Sequence, residues 1–463
     1  MSIMDAAWRG LGEDPSALAL VRDHGASVPL HSALPVGRLM HDAIAAASLS
    51  AALLAARRTG SAVPVVELDP LRIATAVTSE RHFRLNGEPV SAFAELSGFW
   101  PASDGWVRTH ANYPHHRQHL LEALELPQAT TADELLAHVN SRPALEIERV
   151  VTEGGGIAAA VRTEAEWRAE GQAAVVAAHP LVSLVSIGEA LPAPQRPTDI
   201  EAPARGMRVL DLTRVVAGPV ATRTLALWGA DVLRIDPPQY SEIEWQHLDS
   251  GAGKRSALMD FDTQRDALDA LLQHADVVVI GYRPGALDHY GLSPAALADR
   301  WPGIIVARLS AWGTDGPLGG RRGFDSIVQA ATGIAAVEGE SAFVARNSKP
   351  GAMPAQALDH SAGYLLAAGI TSALRRRLDT GGSWLVETSL ARVAAELLAQ
   401  PRKSAAHRAD EPVWAPTVVT RILDDGAVLT SAASAPHYDG GPDDWAVGPV
   451  CMGISMPHWL PRG

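Results

Sequence analysis

Gly351 to Leu390 places one acid, Asp359, between a Pro- and Gly-punctuated loop and a run of small and apolar residues at helical spacing. Ser361, Ala362, Gly363, Ala367 and Ala368 have little side chain, so another backbone can approach that helix face closely. A carboxylate at the mouth of such a helix has two roles open to it. It can act as an N-cap that accepts backbone N–H bonds. It can also be a catalytic carboxylate held against a closely approaching substrate.

Two other groupings invite chemistry and carry less. His110, His115, His116 and His119 lie close together, but no carboxylate or cysteine has suitable metal-ligand spacing, and the pattern fits exposed histidines on a loop and a helix face. Gly154-Gly155-Gly156 could cradle a phosphate, yet no Lys-Ser/Thr follows, so a turn is expected. Cys451 is the only cysteine, which excludes internal disulfides and fits a reducing cytoplasm. A net charge of −13 argues against a general nucleic-acid or anionic-membrane binder. The longest apolar runs, 43–56 and 364–374, are too short to span a bilayer and read as packed helices. The N-terminus, with two early acids and no long apolar core, does not read as a signal peptide.

The elements that must position Asp359 follow from periodicity. An Ala-rich helix is expected at 36–57, followed by Thr59-Gly60 and Val66-Glu67. The same order of helix, basic residues, Thr-Gly and Val-Glu recurs about 320 residues later, at Thr380-Gly381 and Val386-Glu387. On that offset the first copy has no acid matching Asp359, and Asp42 comes too late in its helix. Asp104-Gly105 predicts a hairpin turn with Trp106 and Val107 opening the second strand. Residues 188–206, rich in Pro and polar types, read as a linker. After it, apolar strands at 209–212, 232–236, 276–280 and 304–309 alternate with helices, which predicts an α/β fold with a parallel sheet covered on both faces. Ligands of such sheets bind beyond the carboxyl ends of the strands, here 213–219, 281–285 and 310–317. No G-x-G-x-x-G follows the first of these strands, so NAD or FAD is not expected. The predicted organisation is an N-terminal half at 1–187, the linker at 188–206, a Rossmann-like domain with the Asp359 helix at 207–395, and a C-terminal segment at 396–463.

Six ordered stretches then resemble the family III CoA-transferases (the CaiB/BaiF group, with formyl-CoA transferase, carnitine CoA-transferase and alpha-methylacyl-CoA racemase). They are VLDLTRVVAGPVATRTLALWGADVLRID at 209–236, GKRSALMDF at 253–261, ADVVVIGYRPGALDHYGLS at 275–293, LSAWGTDGPLGGRRGFDSIVQAATG at 309–333, LDHSAGYLLAAG at 358–369 and TGGSWLVETSL at 380–390. The first half resembles the family's later portion, through SDGWV at 103–107 and residues 142–167, so the order is rearranged. Two tandem copies that lost the first nucleotide-binding half and the last small domain would give this order.

The resemblance implies a Rossmann-like domain with a smaller α+β domain, and transfer of CoA from an acyl-CoA to a small carboxylic acid with no metal and no NAD. It puts Asp359 at the catalytic aspartate position. It puts Arg214, Val216, Ala217, Lys254, Arg255, Gly281, Tyr282, Arg283 and His289 at positions lining the CoA site, where His289 replaces a nucleotide-contacting Arg. It implies a homodimer, or a monomer if the fused chain completes its own site, with no nucleic-acid or membrane partner. There are departures. Phe324 stands where the racemase branch has a His, which argues against alpha-proton exchange. Pro237 replaces a basic residue, and no glycine-rich loop is recognisable between 68 and 103. A CoA-dependent racemase and a degenerate CoA-binding subunit are the alternatives.

Overall fold

The computed structural model describes residues 1–23, 25, 27–339, 347–402 and 414–462. The first half of the chain contains a small antiparallel sheet of β1 (Phe99–Pro101), β2 (Trp106–Thr109) and β3 (Ala158–Ala160), with the expected Asp104-Gly105 turn between β1 and β2. The central sheet contains β4 (Ser183–Gly188), β5 (Arg208–Leu212), β6 (Asp231–Asp236), β7 (Lys254–Leu258), β8 (Val277–Ile280), β9 (Ile305–Ser310) and β10 (Ser383–Ser389). Its order is β7-β6-β5-β8-β9-β10-β4, parallel throughout except for β4 at one edge. Burial on both faces explains the continuous apolar runs. Val209, Val277, Val279, Ile305 and Ala307 enter one core, and their neighbours Leu210, Leu212, Val278, Ile280 and Val306 enter the other. The strand order reverses between β5 and β8, so a ligand crevice opens above their carboxyl ends.

Five helices matter for the site: α1 (Ile3–Leu11), α2 (Val36–Thr59), α3 (Ala217–Leu227), α4 (Asp325–Thr332) and α5 (Ala357–Asp379). The α5 helix is buried for nearly all its length and packs against α2 and α3. The two copies of the repeat run in parallel against each other: Ser50 and Ser372 hydroxyls are 3.4 Å apart and Arg57 Nε is 2.5 Å from the Asp379 carboxylate. Small residues allow the contact with α3. A Cβ added at Gly363 would lie 2.4 Å from the Ala217 carbonyl oxygen. By length and composition α2 is apolar enough to cross a membrane, but 89% of its apolar window is buried inside the protein. Asp42 on α2 is a structural acid. Arg38 Nε sits 2.7 Å from it and the Met4 amide donates to it at 3.1 Å.

The chain between 188 and 206 is pinned to the molecule. Arg58, at the end of α2, donates to the carbonyls of Arg196, Pro203 and Arg205, and the Ala193 amide donates to Arg377. Part of the C-terminal segment is also built in. β11 (Val418–Ile422) and β12 (Val428–Ala432) form a hairpin that pairs with Arg84-Leu85, while residues 403–413 of that segment lie outside the described residues. The turn of this hairpin, Asp425-Gly426, repeats Asp104-Gly105 at an offset of 321, as do Val428, Thr430 and Ala432 with Val107, Thr109 and Ala111. The repeat therefore continues beyond the helix into the hairpin.

Candidate active site

The site forms where α5 begins, at the crevice above β5 and β8. Gln356 is the N-cap of α5 and makes no side-chain cap, so Asp359 lies inside the first turn. The capping carboxylate comes from a different helix. Asp325, the first residue of α4, accepts the amides of Leu358 at 2.8 Å and Asp359 at 3.0 Å on Oδ2, and Gln329 Nε2 at 2.5 Å on Oδ1. Asp359 is thereby left with a carboxylate that accepts no hydrogen bond among the described residues. Burial first, and then the charge of Asp325, push its pKa well above the usual carboxylate range. Asp325 is itself raised to about 6 by burial, against the pull of its hydrogen bonds and Arg108.

The loop after β5 carries strain. Val215, a β-branched residue, has φ of 70°, in the left-handed region. Its amide donates to Glu242 at 3.0 Å. Burial alone would raise Glu242, but Arg234 and Arg214, with the Tyr113 hydroxyl and the Val215 amide, outweigh it and hold the carboxylate at about 2. This fixed anion holds the loop that presents Val216 and Ala217 beside Asp359.

Two cavities meet at Asp359, and Val215, Val216 and Phe324 line both. The larger is about 450 Å³. Arg214, Arg283, Arg321 and Arg322 line it, and Asp359 is the only carboxylate among its described lining residues. Such a surface suits a polyanion. Arg214, Val216, Ala217, Gly281, Tyr282, Arg283 and His289 all line this cavity together with Asp359. Lys254 and Arg255 do not. Lys254 points into the sheet–helix interior, where Nζ lies 3.1 Å from Asp211 and donates to the Pro219 carbonyl at 2.9 Å. Successive strand residues face opposite ways, so Arg255 turns away from it to pair with Asp231 at 2.8 Å. These two cations hold the fold together and are removed from the set of candidate CoA ligands.

Several lining residues were missing from the sequence-based set. Arg321 and Arg322 directly precede the Gly323-Phe324-Asp325 segment, and two adjacent cations in a Gly-rich loop were the available signal. The histidines are not the exposed group expected. His110 and His116 are buried, and His110 stacks on Phe324 with centroids 3.7 Å apart and planes at 2°. Burial, then neighbouring positive charge, lowers His110 to about 3 and His116 to about 2, so both rings are neutral. His115, His116 and His119 instead line the larger cavity.

The smaller cavity, about 70 Å³, is closed partly by the first half of the chain, through Ser79, Glu80, Ala92, Phe93, His110 and Asn112. The stretch without a glycine-rich loop therefore still walls the site, with side chains.

A family model described as CoA-transferase family III matches residues 205–439, just over half of the chain. A probable fatty acyl-CoA transferase of Mycobacterium tuberculosis is 33% identical over 227 residues, 45% of this chain and 56% of that protein. The alpha subunit of a succinyl-CoA–L-malate CoA-transferase of Chloroflexus aurantiacus is 29% identical, over 41% of this chain and 47% of that one. A formyl-CoA:oxalate CoA-transferase of Rhodopseudomonas palustris is 32% identical, over 38% and 43%. A solved structure of a CaiB/BaiF family protein from Brucella suis aligns with 49% of this chain and 65% of its own at 28% identity, with a TM-score of 0.40. The chain spans about half the length of the curated relatives it matches. The matched region contains β5–β10, the strained loop at Val215, and both aspartates of the site; the chain belongs to CoA-transferase family III.

Proposed function

We propose that the chain transfers CoA from an acyl-CoA to a small carboxylic acid, with Asp359 as nucleophile. The observation that carries this is the position of Asp359. Its carboxylate stands at the junction of a cationic cavity and a small one without Lys or Arg in its described lining, which suits CoA on one side and an acyl group on the other. In the first step the Asp359 carboxylate attacks the thioester carbonyl and expels CoA thiolate, leaving an acyl–aspartyl anhydride. The thiolate then attacks the aspartyl carbonyl, releasing the donor acid as carboxylate and forming an aspartyl-CoA thioester. The acceptor carboxylate attacks that thioester, giving an acceptor–aspartyl anhydride and thiolate again. Attack of the thiolate on the acceptor carbonyl yields the new acyl-CoA and restores Asp359. Each step exchanges one activated acyl group for another, so the chemistry requires no metal, NAD or ATP.

Arg214, Arg283, Arg321 and Arg322 would meet the phosphates of CoA. Residues from both halves of the chain face Asp359, so one chain supplies walls that a fused pair of copies would share. This supports a site complete within a monomer, and a homodimer remains the family-based alternative. The lone cysteine fits a cytoplasmic setting. Incubation with acetyl-CoA and hydroxylamine tests the mechanism: a hydroxamate at Asp359, read by peptide mass spectrometry, is the expected result. CoA binding with no adduct at Asp359 would overturn it.

A further inference from the structure

The smaller cavity combines low volume, no Lys or Arg in its described lining and an unusual number of unmatched polar atoms. At about 10–15 Å³ for each water-sized group, its volume of about 70 Å³ holds roughly five or six such groups, the size of a three- or four-carbon acid. Among the described residues neither Lys nor Arg lines it, whereas Glu80, Asp249, Asp325 and Asp359 do. Arg108, the neighbouring guanidinium, lies 4.9 Å from the ring centroids of Phe93 and of Phe99. A second carboxylate on a substrate would therefore meet four acids, while the Arg223 guanidinium, 3.8 Å from Asp249, is already engaged with that residue's carboxylate and carbonyl, so its desolvation would be poorly compensated.

The residues of the wall also carry hydrogen-bonding atoms with no protein partner among the described residues. Trp245 Nε1, Ser326 Oγ, Asp249 Oδ1, His110 Nδ1 and His360 Nδ1 are all buried and have no hydrogen-bond partner among the described residues. Unmatched buried polar atoms are costly and rare in native proteins. The other oxygen of Asp249 is already occupied by the Ser79 hydroxyl at 2.7 Å, so its free Oδ1 is held in place as an acceptor. A hydroxyl both donates and accepts, so it can satisfy Asp249 together with Trp245 or Ser326. An alkyl group of the same size leaves them all unmatched.

We propose that this cavity selects a short monocarboxylic acid bearing a hydroxyl group, as the acyl partner of Asp359. The proposal rests on the CoA-transfer reading above. The test offers the intact chain acetyl-CoA with 3-hydroxypropionate, 3-hydroxybutyrate, propionate, butyrate or succinate, and new thioesters are read by mass spectrometry. The hydroxy acids are expected to exceed their chain-matched parents by about tenfold or more in kcat/KM, with succinate below both. Trp245→Phe and Ser326→Ala, which keep the shape, should each lower that preference by about threefold or more. Equal or reversed order, or a preference untouched by both variants, overturns the selectivity while leaving CoA transfer standing. Should no acid be converted, CoA transfer fails instead, and calorimetry of the free acids with the intact chain decides the cavity. Tighter binding of the hydroxy acids sustains the selectivity, and equal or no binding overturns it.

Discussion

Asp325 Oδ2 accepts the backbone amide of Asp359 at 3.0 Å, so one aspartate caps the helix on which the other stands ready to react. The arrangement frees Asp359 from its own helix end and also places a like charge beside it. Both effects favour a poised, raised-pKa carboxyl over a fully stabilised one.

Asp359→Asn should abolish transfer while leaving CoA affinity within about twofold. The amide is isosteric but cannot attack a thioester, and losing a nucleophile costs several orders of magnitude. Retention of more than about a tenth of the activity, ~1.4 kcal/mol of barrier, would assign the nucleophile elsewhere. Asp42→Asn, assayed alongside, should leave the rate essentially unchanged, because Asp42 faces Arg38 and the Met4 amide and is not among the residues lining either cavity.

The pH profile should carry the signature of the aspartate pair. Transfer requires ionised Asp359, whose pKa is raised, so activity falls as pH drops through a range above that of an ordinary aspartate. Because both folded-state values are raised, ionisation opposes folding. The penalty is absent below the unfolded aspartate range and grows as pH rises through it towards about 6 and beyond. Asp325→Asn keeps an acceptor for the amides and removes the like charge, so the acid limb of kcat/KM should move to lower pH. An unmoved limb would show that Asp325 does not perturb Asp359. The two groups titrate as a pair, so the limb reports macroscopic values.

Cations inside and outside the larger cavity should separate cleanly. Arg321→Ala is expected to raise the KM for acyl-CoA by about tenfold and weaken its salt dependence, with kcat little changed. Lys254→Met should instead destabilise the fold by about 3–5 kcal/mol, because Asp211 would keep its hydrogen bonds from Thr213 and Thr222 but be left buried without a counter-charge. Steady-state kinetics at two ionic strengths and denaturant unfolding distinguish the two outcomes.

Gly363→Ala would put a methyl group 2.4 Å from the Ala217 carbonyl and 2.9 Å from Val220 Cβ. Overpacking of this kind costs about 1–3 kcal/mol. The shift must also separate α3 from α5, so transfer should fall together with the melting temperature. Unchanged melting would mean that the two helices have slack the structure does not show.

A fragment of 200–463 should be inactive and poorly soluble. It lacks Ser79, Glu80, Phe93 and His110 from the wall of the smaller cavity, and without α2 it exposes the apolar face of α5. Adding residues 1–195 should restore some activity. Full activity of the C-terminal fragment alone would show that the first half adds nothing to the site.

Apolar strand runs alternating with helices were enough to indicate the parallel sheet, because a sheet buried on both faces needs them. The turn Gly and Pro residues showed where its carboxyl-end loops lie. Asp359 was singled out by its place at the head of a small-residue helix and by the motif around it, and Val216, Ala217, Gly281 and Tyr282 by the motifs of those loops; all five line the larger cavity. What a residue faces in three dimensions was not legible. Lys254 and Arg255 sit next to each other in a basic motif, yet the alternation of a strand sends them to opposite sides, into ion pairs with Asp211 and Asp231. The histidines at 110–119 looked exposed because polar residues usually are; His110 is buried because Phe324, more than 200 residues away, supplies a ring to stack on. The choice between a capping and a reacting role for Asp359 also lay outside local sequence. An N-cap can be supplied by any carboxylate that reaches the helix end, and only the packing of α4 against α5 gives that task to Asp325 and leaves Asp359 free.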